Sequence, residues 1–257
     1  MGNVLESEIK PTHKMGVYEK YMKRPLDFIL SLCAIIVLSP VLLLVAILVK
    51  IKLGSPVIFK QLRPGLHGKI FSMYKFRTMT DEKDENGNLL PDEKRLTGLG
   101  KILRSMSLDE LPELFCILNG SMSCVGPRPQ LIRDMVFMTD EQRRRHIVTP
   151  GLTGYAQVSG RNNITWEQKI EYDLQYIYGG ITLIGDAKII LQTIGKVLMR
   201  SDTVREGTVS DVDFGDWLLM CEKISKEEYD QKQTEAEKIL EMVKGKEKNT
   251  KAYVSHK

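Results

Sequence analysis

Between Phe28 and Val49 the chain runs for 22 residues, FILSLCAIIVLSPVLLLVAILV, without a single charge. A run of this length matches the ~30 Å hydrocarbon layer of a bilayer better than the core of a soluble domain. It starts late and has no small-residue cleavage site behind it, which favours an embedded segment over a signal peptide. Two features bear on how it is embedded. Ser39-Pro40 near its middle removes a backbone donor, and the Ser39 hydroxyl can serve a freed carbonyl. The pieces on either side reach about 18 and 14 Å as helix, each roughly half of the layer. Lys20, Lys23 and Arg24 precede the run and Lys50, Lys52 and Lys60 follow it. The positive-inside bias then puts both ends on the cytoplasmic side. Together these features favour a segment that enters and turns back, with an ordinary kinked span as the alternative.

Beyond the run, residues 54–80 read as short extended segments broken by Gly54, Pro56, Pro64-Gly65 and Gly68. Residues 81–95 form a polar loop. Leu103, Leu111, Leu114, Phe115 and Leu118 recur at near-helical spacing, with Pro112 imposing a boundary or kink. Gly126-Pro127-Arg128-Pro129 is a rigid, non-helical crossing. A helix is predicted from Gln130 to Ile147, stopped before Pro150-Gly151, and another over Trp166–Tyr178. Lys188–Arg200 gives a basic amphipathic helix suited to a membrane surface or to packing on the core. Near the end, Ser225 and Glu228 form a capping-box pattern ahead of a narrow apolar stripe, Ala236, Ile239, Leu240 and Val243.

Composition narrows this picture. A mean hydropathy of −0.18 excludes a polytopic membrane protein. The net charge of +4 is modest for a nucleic-acid binder and few aromatic platforms accompany it, so no nucleic-acid partner is expected. Residues 50–200 hold 22 Lys/Arg against 16 Asp/Glu, a balance suited to phosphates or to anionic lipid. The four cysteines lie far apart without metal spacing, which excludes a disulfide scaffold or structural zinc site and fits a reducing, cytoplasm-facing chain.

The candidate chemistry lies in Ser107-Leu108-Asp109-Glu110-Leu111-Pro112. Adjacent helical residues point about 100° apart, so Asp109 and Glu110 do not share one proton as a facing dyad would. They can divide labour, one attacking and one holding a cation, although Asp-Glu in a first helical turn commonly just matches the dipole. Lys75, Arg77, Arg95, Arg104, Arg128 and Arg161 all stand in apolar or Gly/Pro-constrained contexts, where cations suit repeated contact with phosphate oxygens. Arg143-Arg144-Arg145 reads instead as a solvated or headgroup-facing run.

The segments KRPLDFILS at 23–31, KQLRPGLHGKIFSMYKFRTM at 60–79, LRSMSLDELPELF at 103–115, MSCVGPRP at 122–129, PGLTGYAQVSGRNNITWEQKIEYDLQYI at 150–177 and DAKI at 186–189 resemble the small monotopic polyprenyl-phosphate glycosyl-1-phosphate transferases, a family of bacterial sugar transferases. The resemblance covers about residues 20–200. It implies an α+β, mainly helical fold with a re-entrant membrane helix-break-helix at Ser39-Pro40. Amphipathic interfacial helices and a small cytoplasmic catalytic domain with short strands would complete it. The chain would then divide into an N-terminal extension (1–19), the membrane hairpin (20–53), the catalytic domain (54–221) and a charged helical appendage (222–257). It implies residence on the inner membrane and transfer of a sugar 1-phosphate from a UDP-sugar to polyprenyl phosphate, with Mg²⁺. By position, Asp109 would be the nucleophile, Glu110 a magnesium ligand joined by Asp186, and Lys75, Arg104 and Arg128 part of the surrounding site; with Arg77 and Arg161 from the constrained basic residues above, these make the expected phosphate-binding set. Gly120-Ser121 stands where the family carries an acidic residue, and Gly180-Ile181 where it carries Trp-Ser. A homodimer through the amphipathic helices and downstream glycosyltransferases on the charged tail are the partner expectations. A non-catalytic membrane scaffold is the rival class.

Overall fold

The computed structural model describes residues 13–160, 164–199 and 212–255, the last ten of these by backbone alone. Arg161 of the expected phosphate set lies outside them. A π-helical turn, Tyr18–Met22, leads into α1, Lys23–Leu53, which ends where Gly54 takes a left-handed φ of 79°. The helix continues through Pro40, which has no N–H to donate, and the Ser39 hydroxyl donates to Ile36 O at 2.8 Å. The chain is helical on both sides of the proline, so the expected interruption is not a gap in the helix.

Strands β1, Ile58–Pro64, and β2, Ile70–Phe76, form an antiparallel hairpin in which Phe59 faces Lys75. A one-turn helix α2, Asp92–Arg95, closes the polar loop and leads to α3, Gly98–Ser105, capped by the Thr97 side chain. After α3 the chain does not continue helically. Ser107 adopts φ 54°, Leu108–Glu110 make a single 3-10 turn, and Pro112 caps α4, Glu113–Asn119. Asp109 and Glu110 therefore sit in a tight turn between two helices rather than in a helical first turn.

A short strand β3, Ser123–Val125, runs into the Gly-Pro-Arg-Pro crossing. The helix predicted over 130–147 is three shorter pieces: α5, Ile132–Met135, α6, Asp140–Arg143, and a 3-10 turn over Arg144–Ile147. The reason is local capping. Asp134 accepts from Leu131 N at 2.9 Å, and Thr139 with Gln142 forms a second capping box inside the stretch, starting a new helix in a new direction. Strand β4, Gly151–Thr153, pairs parallel to β3. A Cβ on Gly151 would lie 2.1 Å from Gly126 N, and one on Gly154 2.2 Å from Gly126 O, so glycines allow the two strand ends to meet. There follow α7, Tyr155–Ser159, α8, Trp166–Tyr178, and α9, Leu183–Met199. The capping box of Thr165 and Gln168 starts α8 at the predicted residue.

One face of α1 packs on the rest of the molecule along its whole length. Ala34, Ile35 and Leu38 lie against Met73, Leu114, Cys116, Ile117 and Met122, while Val45 and Val49 are buried with Phe76 and Leu103. Asp27 accepts from Ser123 Oγ at 2.7 Å and from Cys124 N at 3.0 Å, and Arg24 donates to the carbonyls of Ile117 and Leu118 at the end of α4. The opposite face is bare: Ile36, Val37, Leu43, Leu44 and Ile51 are exposed. Helices α10, Phe214–Met220, and α11, Lys226–Ser255, close the fold. The apolar stripe of α11 docks on α5, with Ala236 and Ile239 buried against Ile132 and Val136, and Phe214 N donates to Asp134 at 2.9 Å.

Candidate active site

Three elements bring cations to the 3-10 turn. Strand β2 supplies Lys75, whose ammonium donates to Glu110 Oε1 at 2.8 Å and lies 3.3 Å from Glu113 Oε1. The crossing after β3 supplies Arg128, whose guanidinium bonds both Glu110 oxygens, the Oε2 contact at 3.4 Å. The last turn of α3 supplies Arg104, whose Nε donates to Thr78 Oγ1 at 3.2 Å. Asp109 is buried at the centre, 8% exposed.

The electrostatics separate the three carboxylates. Burial alone would raise Glu110, but Arg128 and Lys75 outweigh it and hold this carboxyl well below the usual range. Burial raises Asp109, with the Glu110 charge adding to it, while Lys75, Arg104 and Arg128 oppose the rise. Glu113, fully buried at the start of α4, is pushed up to about 7 by burial and by Glu110. The turn thus sets an always-ionised carboxylate next to a desolvated one facing three cations, which is the condition for a nucleophile whose charge is poorly solvated but compensated.

Arg128 is held from behind. Its carbonyl accepts from Arg145 Nη2 at 2.7 Å, and Arg145 in turn pairs with Asp173 of α8 at 2.6 Å, both buried. Arg63 donates to the carbonyl of Pro129 at 3.2 Å. Arg145 thus does not belong to a solvated basic run. It faces inward because the 3-10 turn that carries it follows α6 in a new direction, while Arg144 reaches outward to Tyr178.

Two expected site residues stand elsewhere. Arg77 spends its guanidinium on the carbonyls of Met79, Ser55 and Leu53 and on Asp81, tying the end of β2 to the end of α1. Asp186, 3% exposed, accepts from Tyr18 at 2.9 Å, from Tyr176 at 2.7 Å and from Lys23. It joins the entrance of α1 to α8 and α9 instead of approaching Glu110. Sequence reasoning also passed over Asp27, Glu113 and Arg145. Only Asp27 carried a signal, a lone carboxylate at the edge of an apolar run.

Among the described residues no three His, Cys, Asp or Glu side chains converge as a ready-made metal cage. Magnesium does not require one, because it is commonly held by one or two carboxylates together with substrate phosphates and water. Of the two expected ligands, only Glu110 stands at the turn, where Lys75 and Arg128 hold its oxygens.

Residues 18–200 match a model of the family described as bacterial sugar transferase. The chain is 49% identical over 178 residues to the "Uncharacterized sugar transferase EpsL" of Bacillus subtilis (strain 168), covering 69% of this chain and 88% of the relative. It is 42% identical over 189 residues to the "UDP-glucose:undecaprenyl-phosphate glucose-1-phosphate transferase" of Klebsiella pneumoniae, covering 68% of this chain and 39% of that one. It is 34% identical over 200 residues to the "Undecaprenyl-phosphate galactose phosphotransferase" of Salmonella typhimurium, covering 71% and 41%. The match spans about two fifths of the length of these last two relatives.

Proposed function

The chain belongs to the bacterial sugar transferase family, and on that premise we propose that it moves a sugar 1-phosphate from a UDP-sugar to a polyprenyl phosphate through Asp109. The observation that carries this reading is Asp109 buried in the turn beside a Glu110 that Lys75 and Arg128 hold by ion pairs. Relatives named as UDP-glucose or galactose phosphotransferases acting on undecaprenyl phosphate support the same donor and acceptor classes.

An Asp109 oxygen attacks the sugar-side phosphorus, the bond to the bridging pyrophosphate oxygen breaks, and UMP leaves with the electron pair. A phosphate oxygen of the polyprenyl carrier then attacks the same phosphorus and expels the Asp109 carboxylate, giving polyprenyl diphosphate-sugar. Both reactants are anions, so each approach is opposed by charge. Arg104, Arg128 and Lys75 offset that repulsion and stabilise the charge gathering on the equatorial oxygens. Glu110, with the donor's pyrophosphate, would hold Mg²⁺, which supplies further neutralisation of the pyrophosphate. Arg145 and Asp173 fix the backbone that carries Arg128.

The membrane seat follows from α1. Its residues 23–53 would extend about 46 Å as helix, more than a bilayer core, yet one face is packed on the domain from Asp27 to Val49. A helix that crossed the bilayer would drag β2 and α4 into hydrocarbon. This supports a monotopic, re-entrant seat, with the bare face of α1 in one leaflet and both ends on the cytoplasmic side, so that Asp109 meets the acceptor phosphate at headgroup depth.

The test is Asp109→Asn with UDP-glucose, UDP-galactose and undecaprenyl phosphate. Wild type releases UMP and, without acceptor, becomes labelled from sugar-labelled donor. The variant loses turnover by more than about 10³-fold and takes no label, while still partitioning into membranes. Undiminished UMP release by the variant would end the nucleophile assignment.

A further inference from the structure

Glu113 has no part in the reaction above, yet it is the most deeply buried carboxylate beside the dyad, at 0% exposure. Neither of its oxygens accepts a hydrogen bond of ordinary geometry. Its nearest cation is the Lys75 ammonium, 3.3 Å from Oε1, and that ammonium is engaged at 2.8 Å with Glu110. A carboxylate buried without full pairing is costly, and this one stands beside the Asp109-Glu110 turn as an acceptor with capacity to spare.

The Lys75 ammonium thus stands between two acceptors one helical turn apart, and its backbone is fixed in the β-hairpin opposite Phe59. Only the end of the side chain is free to choose. Glu110 already receives Lys75 and Arg128, and in the function proposed above it must also receive a divalent cation. A dication at Glu110 repels an ammonium at the same oxygens. The Lys75 side chain must then either leave the site or find another anion. Glu113 Oε1 is the anion within reach, and closing from 3.3 Å to an ordinary charge-assisted distance of about 2.8 Å takes roughly half an ångström.

We propose that Glu113 is a positioning residue: it takes over Lys75 when Glu110 accepts the cation that accompanies the donor, and so keeps the ammonium against the transferred phosphoryl group. The inference rests on the phosphotransfer reading and adds to it a carboxylate that acts through Lys75 alone. It requires no new covalent bond; one ion pair is exchanged for another.

The experiment compares full-length wild type, Glu113→Gln, Lys75→Met and the double variant in detergent or nanodiscs. UMP release is measured against UDP-sugar and Mg²⁺ concentration. In parallel, the rise in melting temperature on adding Mg²⁺ with UDP is recorded, which reads binding without turnover. In Glu113→Gln, Lys75 keeps competing for Glu110. The expected result is a kcat about 10-fold lower, an unchanged KM for UDP-sugar, a half-saturating Mg²⁺ concentration several-fold higher and a smaller melting shift. In the Lys75→Met background, Glu113→Gln should change none of these further. Should Glu113→Gln fail to fold, Glu113→Asp, which keeps the charge but shortens its reach, is read in the same way with a smaller loss.

A Glu113→Gln enzyme with wild-type kcat and Mg²⁺ requirement overturns the inference and leaves the phosphotransfer reading intact. An equal loss in the Lys75→Met background also overturns it, because Glu113 would then act by another route. A wild type that releases no UMP from any UDP-sugar removes the reading itself, and the inference with it.

Discussion

Two buried acidic clusters in this protein are built on opposite principles. At Asp186 one carboxylate meets three donors, Tyr18, Lys23 and Tyr176, and both of its oxygens are used. At the 3-10 turn three carboxylates, Asp109, Glu110 and Glu113, share chiefly Lys75, Arg104 and Arg128, and Glu113 accepts no ordinary hydrogen bond. The first cluster is complete as folded and has nothing to offer a ligand. The second has acceptor capacity that only an incoming cation or a displaced ammonium would use. The contrast distinguishes a lock from a reaction site better than burial does, since Asp186, Asp109 and Glu113 are all buried.

Breaking the lock should have the largest effect on stability. Asp186→Ala takes the acceptor from a buried ammonium and from the Tyr18 hydroxyl and leaves Tyr176 only its contact with Val125 O at 3.4 Å, and the expected loss is about 3 kcal/mol, read as a lower unfolding midpoint in detergent. Asp109→Asn should cost nothing or raise the midpoint, because it removes a desolvated charge next to Glu110. Equal destabilisation by the two would erase the distinction.

A third buried group sharpens it by staying neutral. His146 is pulled down to about 3 by burial, with Arg145 and Arg143 adding to it, and its Nε2 has no hydrogen-bond partner. The unfolded chain takes up a proton near the ordinary histidine value of about 6.5 while the folded chain does not. Stability is therefore fully present above that value and declines as the pH falls toward 3. At pH 5 the histidine contribution should be lower by about 2 kcal/mol. His146→Gln should flatten that part of the slope, measured as the wild-type-minus-variant difference in midpoint between pH 7 and 5; parallel slopes would contradict it. A smaller loss than at Asp186 or His146 is expected from Tyr176→Phe, which withdraws one of the three donors from Asp186 and should cost about 1 kcal/mol without changing kcat.

How far these features can be read from the sequence depends on the range of the interactions that set them. Helix α8 begins where Thr165 and Gln168 say it should, because a capping box is written in four consecutive residues. The apolar stripe of α11 is also local, although its docking site on α5 is not. The 130–147 stretch misleads because its apolar spacing suits one helix while Asp134 and Thr139 each cap a separate piece. At the site, Asp109 and Glu110 stand out through the basic residues in constrained contexts along the chain. Which of those cations actually meets the turn is decided by partners far away in sequence. Arg77 is taken by the carbonyls at the end of α1, 22 and 24 residues back, and Arg145 is turned inward by Asp173, 28 residues on. Asp186 likewise reads as a metal ligand until Tyr18 and Lys23, more than 160 residues earlier, are seen to occupy it. Glu113 looks like an ordinary first-turn acid, and only the fold shows it shut away from water.

The long packed face of α1 has a consequence for handling the protein. Val45, Val49, Ala34 and Leu38 complete cores that also contain Met73, Leu103 and Ile117, so a chain begun at residue 54 would bare those cores to solvent. Trimming the greasy segment should therefore yield aggregates rather than a soluble enzyme, and the lipid-facing helix is as much the floor of the catalytic domain as its anchor.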